Sequence, residues 1–386
     1  MPTRLLLRQD AGAPPISSPR ARIARPAEEV GRPGASPRPM TRLVQLAIVL
    51  LSDSALAAPV GGTPCTDDRE LLAIHGSWTA GADVGGTAGS GRPQGASQQV
   101  SARIDRLAEL VRAASPEPRG MEAIWYRKLS AGPPSKAGAE AYGLNALYKA
   151  WSCNQNLHQT QLDDETGTWV HVFVNHLGWF AEEQEAFQVD GRPAYLLTPR
   201  SGAFKGIPAY AGIHNKSSNT GQTFSRAILV TRPGESPLVP VTRRQLLEGF
   251  VRSAAAQAAS QRSMIENAAM DPARKADLIR RIQHGVEKRQ APARARLEAL
   301  SREDGDQPAI LGPGGVLDFN EFATEDRGGR ALVRLDPRYF AAKVPPHAPQ
   351  FVIVYWRWQK SVASQALRDE FEQRFDSSGV AALLDR

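Results

Sequence analysis

The 386-residue chain lacks most of the signatures from which chemistry is read. It has no P-loop, no HExxH zinc helix and no G-x-S-x-G nucleophile turn, so none of the reactions served by those spacings is signalled. Its seven histidines include no HxH pair, and no Cys/His cluster is present. No metal or other cofactor is therefore expected. No repeat at solenoid periods is visible, which argues against a stacked-repeat architecture. Its apolar segment Leu43 to Leu51 is about nine residues long, against the roughly 20 of a spanning helix, and Asp53 interrupts it early.

That short segment has its own meaning. Met40-Thr41-Arg42 supplies a cationic start, Leu43 to Leu51 a greasy middle, and Ala55-Leu56-Ala57 a small-x-small cleavage site. These are the three parts of a secretory signal, cut after Ala57. A secreted or periplasmic protein with no stable transmembrane segment after cleavage is expected. Residues 1–39, rich in Pro, Arg, Ser and Ala, have too little apolar periodicity to offset the entropy of ordering. Either Met40 is the true start or the chain carries an extended disordered leader.

The formal charge of +7 arises from 47 bases against 40 acids. Eight of those bases and four of those acids lie in residues 1–57, leaving 39 against 36. The case for a nucleic-acid partner loses its main support once the leader is set aside. Cys65 and Cys153 are the two cysteines, and an oxidising compartment favours pairing them. Closing so long a loop contributes on the order of 4 kcal/mol in the chain-entropy model.

Periodicity divides the rest. Thr66 to Trp78 reads as a short helix capped by Thr66, with acids in its first turn. The glycine-rich stretch Ala80 to Gln98 reads as a linker. Ile104, Leu107, Leu110 and Val111 recur at helical spacing up to Pro116, and Ala137 to Trp151 reads as a further helix. From Thr168 to Val174 both faces are apolar, as in a covered strand. Val189-Asp190-Gly191-Arg192 signals a hairpin. Ile207 to Ile213 and Phe224 to Thr231 are two more expected strands, joined by the polar loop His214 to Gln222.

A capping box at Thr242 and Gln245 opens a helical region with an apolar face at Leu246, Phe250, Ala254 and Ala258. Asp271-Pro272 starts a second helix, and Pro292 is expected to restart the chain toward Leu300. Ala331 to Leu335 and Gln350 to Trp358 return to strand, the second lying centrally, and Ala366 to Phe375 forms an amphipathic helix. The expected fold class is α+β: mainly an antiparallel sheet with flanking helices and an inserted helical hairpin or arm. Its parts are a leader (1–39), a signal peptide (40–57), a short helix plus linker (58–98) and an α+β domain (99–386) with the insertion at 242–304.

Candidate chemistry is sparse. His171 and His176, five apart, point to opposite faces by the strand period and are poor partners for one ion. Adding His214 or Glu182 makes a metal site only if loops fold back. Thr198 to Gly206 and His214 to Gly221 form two donor-rich loops, with Arg200, Lys205, His214, Lys216 and Arg226 as the cations of a small-anion site. Ser201, Ser217 and Ser218 lack a nucleophile elbow. Asp163, Asp164, Glu165, Glu182, Glu183 and Glu185 offer carboxylate pairs of the kind any acid-rich turn has. In Tyr355-Trp356-Arg357-Trp358 the two tryptophans share a face, read as core against the C-terminal helix rather than a stacking platform.

Two functions follow. One is a non-enzymatic binding or structural protein of the periplasm or envelope, with the arm as interaction surface and an envelope protein or small anionic ligand as partner. The other is an envelope hydrolase using His176 or His214 near the 200–205 loop.

Overall fold

A computed structural model describes residues 64–84, 94–129, 139–154, 156–163, 166–189, 191–212, 217–218, 221–315, 317–341 and 344–385. Residues 1–63, with the expected signal segment and Ala57, lie outside the described residues, as do His214 and Lys216. Among the described residues no helix is long and apolar enough to cross a membrane.

In order, the chain forms β1 (Trp78–Ala80), α1 (Gln94–Ala114), β2 (Met121–Lys128), β3 (Tyr142–Asn154), β4 (Gln159–Leu162), β5 (Thr168–Val174), β6 (Ala181–Val189), β7 (Arg192–Leu197), β8 (Arg200–Phe204) and β9 (Ile207–Ala211). It continues with β10 (Ser217–Ser218), β11 (Gly221–Val230), β12 (Leu238–Pro240), α2 (Arg243–Asn267), α3 (Pro272–Ala299), α4 (Arg302–Asp306), β13 (Ile310–Leu311), β14 (Arg330–Leu335), β15 (Val352–Gln359), α5 (Val362–Arg374) and α6 (Ser377–Ala381). The larger sheet runs β1-β2-β3-β5-β15-β11-β9-β8, with β4 on β3 and β10 on β11. The smaller runs β12-β14-β7-β6, with β13 on β14. The class is α+β, and of these ladders only β1–β2 is parallel.

The hydrophobic clusters give four layers. On one face of the larger sheet, Val170, Val172, Val174, Val354 and Trp356 meet α1 through Ile104, Leu107 and Val111, and α5 through Leu367 and Phe371. On the other face, Phe173, Ile353 and Tyr355 meet Leu197 of β7, Leu238 of β12 and Val333 of β14. The outer face of the smaller sheet buries Ala194, Leu196 and Leu332 against Leu246, Leu247 and Ala293 at the base of the α2–α3 hairpin. Strand β15 has apolar side chains on both faces because both are covered, and it lies centrally between β5 and β11 as expected.

The arm begins as read: Thr242 accepts from the Gln245 backbone and Gln245 returns the bond, and Asp271 caps α3 with Pro272 in its first turn. Its ends meet where the Ala309 amide donates to Val241 O, and β12 and β14, the strands before and after it, pair directly. The arm is therefore an insertion. Trp356 and Trp358 do pack toward α5 as core.

Several expectations need correction. Ala137 to Trp151 is not a helix; from Tyr142 it is β3, because Tyr142, Leu144, Ala146, Tyr148 and Ala150 are all buried at a period of two. Thr66 to Trp78 holds only a 3-10 turn at Glu70–Ala73. The cause is Gly76: a β-carbon there would lie 1.6 Å from Met121 O, so the chain runs against β2 and joins it as β1. Helix α1 starts at Gln94, inside the expected linker. Pro292 does not restart the chain but sits within α3 on its exposed side, where the carbonyl that loses its donor faces solvent. The strands form two sheets rather than one.

Candidate functional site

Of the two expected cationic loops, Thr198 to Gly206 is described, whereas His214 to Gly221 lies mostly outside the described residues. Thr198 to Gly206 is a strand and a tight turn, since Lys205 (φ 47°) and Gly206 (φ 82°) both take the left-handed conformation and reverse β8 into β9. From that turn Lys205 Nζ donates to Gln373 O and Phe375 O, each at 2.8 Å, where a cation suits the C-terminal carbonyls of α5. Arg226 pairs with Glu372 of α5 at 3.3 Å and reaches Ser201 O and Ala203 O. Glu372 also accepts from Trp356 Nε1 at 2.9 Å. Lys205 and Arg226 thus bind the β8–β9 hairpin to α5. Arg200, exposed on β8, stands opposite Tyr210.

His171 and His176 lie closer than the strand period allows. After Val174 the chain turns at Asn175 (φ 55°), which is fully buried and holds the bend by donating to Glu140 O and Ala348 O and accepting from Gln350 N. His176 is thereby returned to the face of His171, its ring 6.1 Å from Phe173. Its Nδ1 accepts from Gly178 N at 2.9 Å. Burial and the Lys128 charge push its pKa below the ordinary histidine value. Lys205 faces α5 on the opposite side of the sheet, so His176 and the 200–205 turn are not brought together. Glu182 is engaged by the buried Arg330 at 3.1 Å. Among the described residues no group of three His, Cys, Asp or Glu side chains could hold a metal ion.

The geometry concentrates polar and aromatic groups on the second face of the larger sheet. Register places Tyr126, Asn145, His171 and Tyr355 in one cross-strand row, and Ile124, Leu147, Trp169, Arg357 and Ser225 in the next. His171, 3% exposed, donates from Nδ1 to Asn145 Oδ1 at 2.6 Å. Along β5 the rings of Trp169, His171 and Phe173 stack at 5.2 and 6.0 Å, and Trp179 meets His171 edge-on at 4.4 Å. Tyr355 is held protonated by burial, its pKa raised. Across β2 and β3 this face is half-buried and lies beyond the core shared with the smaller sheet.

Arg357, like Arg334 and Arg296, is half-buried without an ion pair among the described residues. Arg127, Arg226, Arg232 and Arg330 each meet a carboxylate. Arg357 donates only its Nε, to Gly167 O at 2.8 Å, and the described residues give it no acidic partner. Burial lowers its pKa. A crevice between β5, β15 and α5, lined in part by Tyr148, Trp356 and Phe371, has about 10 Å³ of space, room for one water and no organic ligand.

No protein-family model, curated protein or solved structure matches this chain.

Sequence reasoning puts its weight on the glycine-rich loops and passes over Arg357. A signal for it is present: an arginine two residues from the end of an otherwise apolar central strand has to be paired, solvated or available for a ligand.

Proposed function

We propose that this is an exported, non-enzymatic binding or structural protein of the periplasm or cell envelope, and that the α2–α3 arm is the surface that engages an envelope protein. The observation that carries this reading is the distal arm: between Ala255 and Gly285 no side chain is buried, although Ile265, Leu278, Ile279 and Ile282 are half-buried and Met264 is 63% exposed. At 1.5 Å per residue, Ala254 to Asn267 extends the hairpin about 20 Å past its last buried layer. A two-helix projection of that length adds no buried side chain to the core, and Met264 stands exposed on it as an apolar contact point. The Cys65–Cys153 bond is compatible with an oxidising compartment.

Placing a photo-cross-linking residue at Met264, with Leu157 (65% exposed, remote in the fold) as the control position, tests the reading in cells. A discrete adduct with one envelope protein from position 264 alone supports it. Equal, diffuse labelling from both positions contradicts it.

A further inference from the structure

Positive charge in this chain is gathered on one helix. After residue 57 the sequence has 39 bases against 36 acids, and α3 alone holds eight against three, which leaves 31 against 33 for everything else. Its partner in the hairpin is balanced by its surroundings. In α2, Arg252 pairs with Glu248 at 3.5 Å, Arg262 with Glu266 at 2.7 Å and Arg243 with Asp304 at 3.7 Å, while Arg244 donates to Ser301 O. A solvated helix laces its signs in that way. On α3 a single carboxylate, Asp277, serves both Arg280 at 3.5 Å and Arg281 at 2.8 Å, and among the described residues Arg274, Lys288 and Arg289 have no acidic partner.

Arg274, Arg281 and Lys288 are exposed and stand seven residues apart, two turns each, so they form one row about 21 Å long on the outward side of α3. Arg280, His284 and Arg289, all exposed, flank it. Ile279, Ile282 and Val286 fall on the opposite side, where α3 packs on α2 and Gln290 Nε2 donates to Val251 O at 2.7 Å. The row itself offers no large apolar side chain to lipid, as a helix lying on a membrane surface does.

We infer that this row is the arm's recognition surface and that its partner is a protein with an acidic face, carboxylates standing against Arg274, Arg281 and Lys288. The inference rests on the reading of the arm as an interaction surface and adds the chemistry of what it meets. Like charges left unpaired along one helix stabilise nothing in the free chain. Across an interface they steer an acidic surface and fix its register.

Two measurements separate this inference from the arm reading. The first repeats the position-264 cross-link in a variant carrying Arg274→Glu, Arg281→Glu and Lys288→Glu. The adduct should fall at least about tenfold with the thermal midpoint preserved. An undiminished adduct overturns the charge assignment and leaves the arm as interaction surface, whereas no adduct from the unaltered chain overturns both. The second is titration of the purified protein with an alanine-based helical peptide bearing glutamates along one face, with its glutamine counterpart, and with phosphatidylglycerol vesicles. Saturable binding of the glutamate peptide is expected, weakened at least about tenfold by the triple variant and by raising salt from about 0.1 M to about 1 M. If the triple variant fails to fold, Lys288→Glu serves in its place, and both adduct and peptide binding should still weaken. No binding of the glutamate peptide, equal binding of the glutamine peptide, tighter binding to the vesicles, or affinity unchanged by charge reversal would each overturn the inference.

Discussion

Cys65 is bonded to Cys153, with Cα atoms 5.9 Å apart across 88 residues of sequence. The bond ties the segment that precedes β1 to the end of β3, and it is reinforced by the Cys65 amide donating to His158 O and by Pro64 bridging to Gln159. Around it the cluster is small: Leu71 is buried there, with Ile74 and Trp151 half-buried. The covalent link, more than packing, therefore holds the N-terminal strap against the sheet.

Reduction, or Cys153→Ala, should lower stability by about 2–4 kcal/mol, near the chain-entropy value for so long a loop. Thermal unfolding with and without reductant measures it. Hydrogen exchange should show residues 64–80 opening before the rest of the sheet. A midpoint indifferent to reductant would contradict this account of the strap.

His176 carries a pH dependence whose sign is fixed by its hydrogen bond. Its Nδ1 accepts from Gly178 N, which only the neutral ring can do, and burial likewise disfavours the charged form. The folded pKa lies below the unfolded value of 6.5, so below 6.5 the unfolded chain binds the extra proton. Stability from this group is complete above pH 6.5 and is lost as pH falls toward the folded pKa. His347 shifts in the same direction, also through burial. Urea unfolding between pH 7.5 and 5 should show a decline that His176→Gln makes shallower; an identical slope in the variant contradicts the assignment.

Two glycines should respond in opposite directions to alanine. Gly143, between Lys128 on β2 and Phe173 on β5, would place a β-carbon 2.2 Å from Val172 O, a backbone atom that cannot turn aside. Gly143→Ala should cost about 1–3 kcal/mol or more. Gly285 in the middle of α3 has nothing within 4 Å of where an alanine methyl would stand, so Gly285→Ala should gain about 0.5–1 kcal/mol from helix propensity. Chemical denaturation of both variants decides the pair.

How much of this is legible in the sequence depends on whether local pattern and tertiary environment agree. The capping box at Thr242, the Asp271-Pro272 start and the doubly apolar β5 are readable because each is a local rule that packing then reinforces. Strand β3 reads as helix because Leu147 and Trp151, on its second face, supply a helical spacing that masks the period-two run completed by Ala146 and Ala150. Strand β1 depends on Gly76 fitting against Met121 O, a contact between residues distant in sequence that no local pattern encodes. The expected anion loops do not separate two uses of one residue type: Lys205 and Gly206 make a turn, and Lys205 and Arg226 clamp α5. Arg357 can be placed on a face, but that its fork lacks an acidic neighbour emerges only from the register of β3, β5, β15 and β11.

The arm gives the most direct test. Replacing residues 255–285 with a short glycine-containing turn removes no buried side chain, and the last buried contacts of the hairpin, Ala254 and Val286, flank the cut. The measurement is the native mass of the protein recovered from envelope fractions, full-length against arm-shortened, with the thermal midpoint of each as a check on the fold. The account predicts that the full-length protein migrates in a defined complex with an envelope partner, and that the shortened protein, with its midpoint preserved, migrates as the free chain. A shortened protein that folds and still enters the same complex would contradict it.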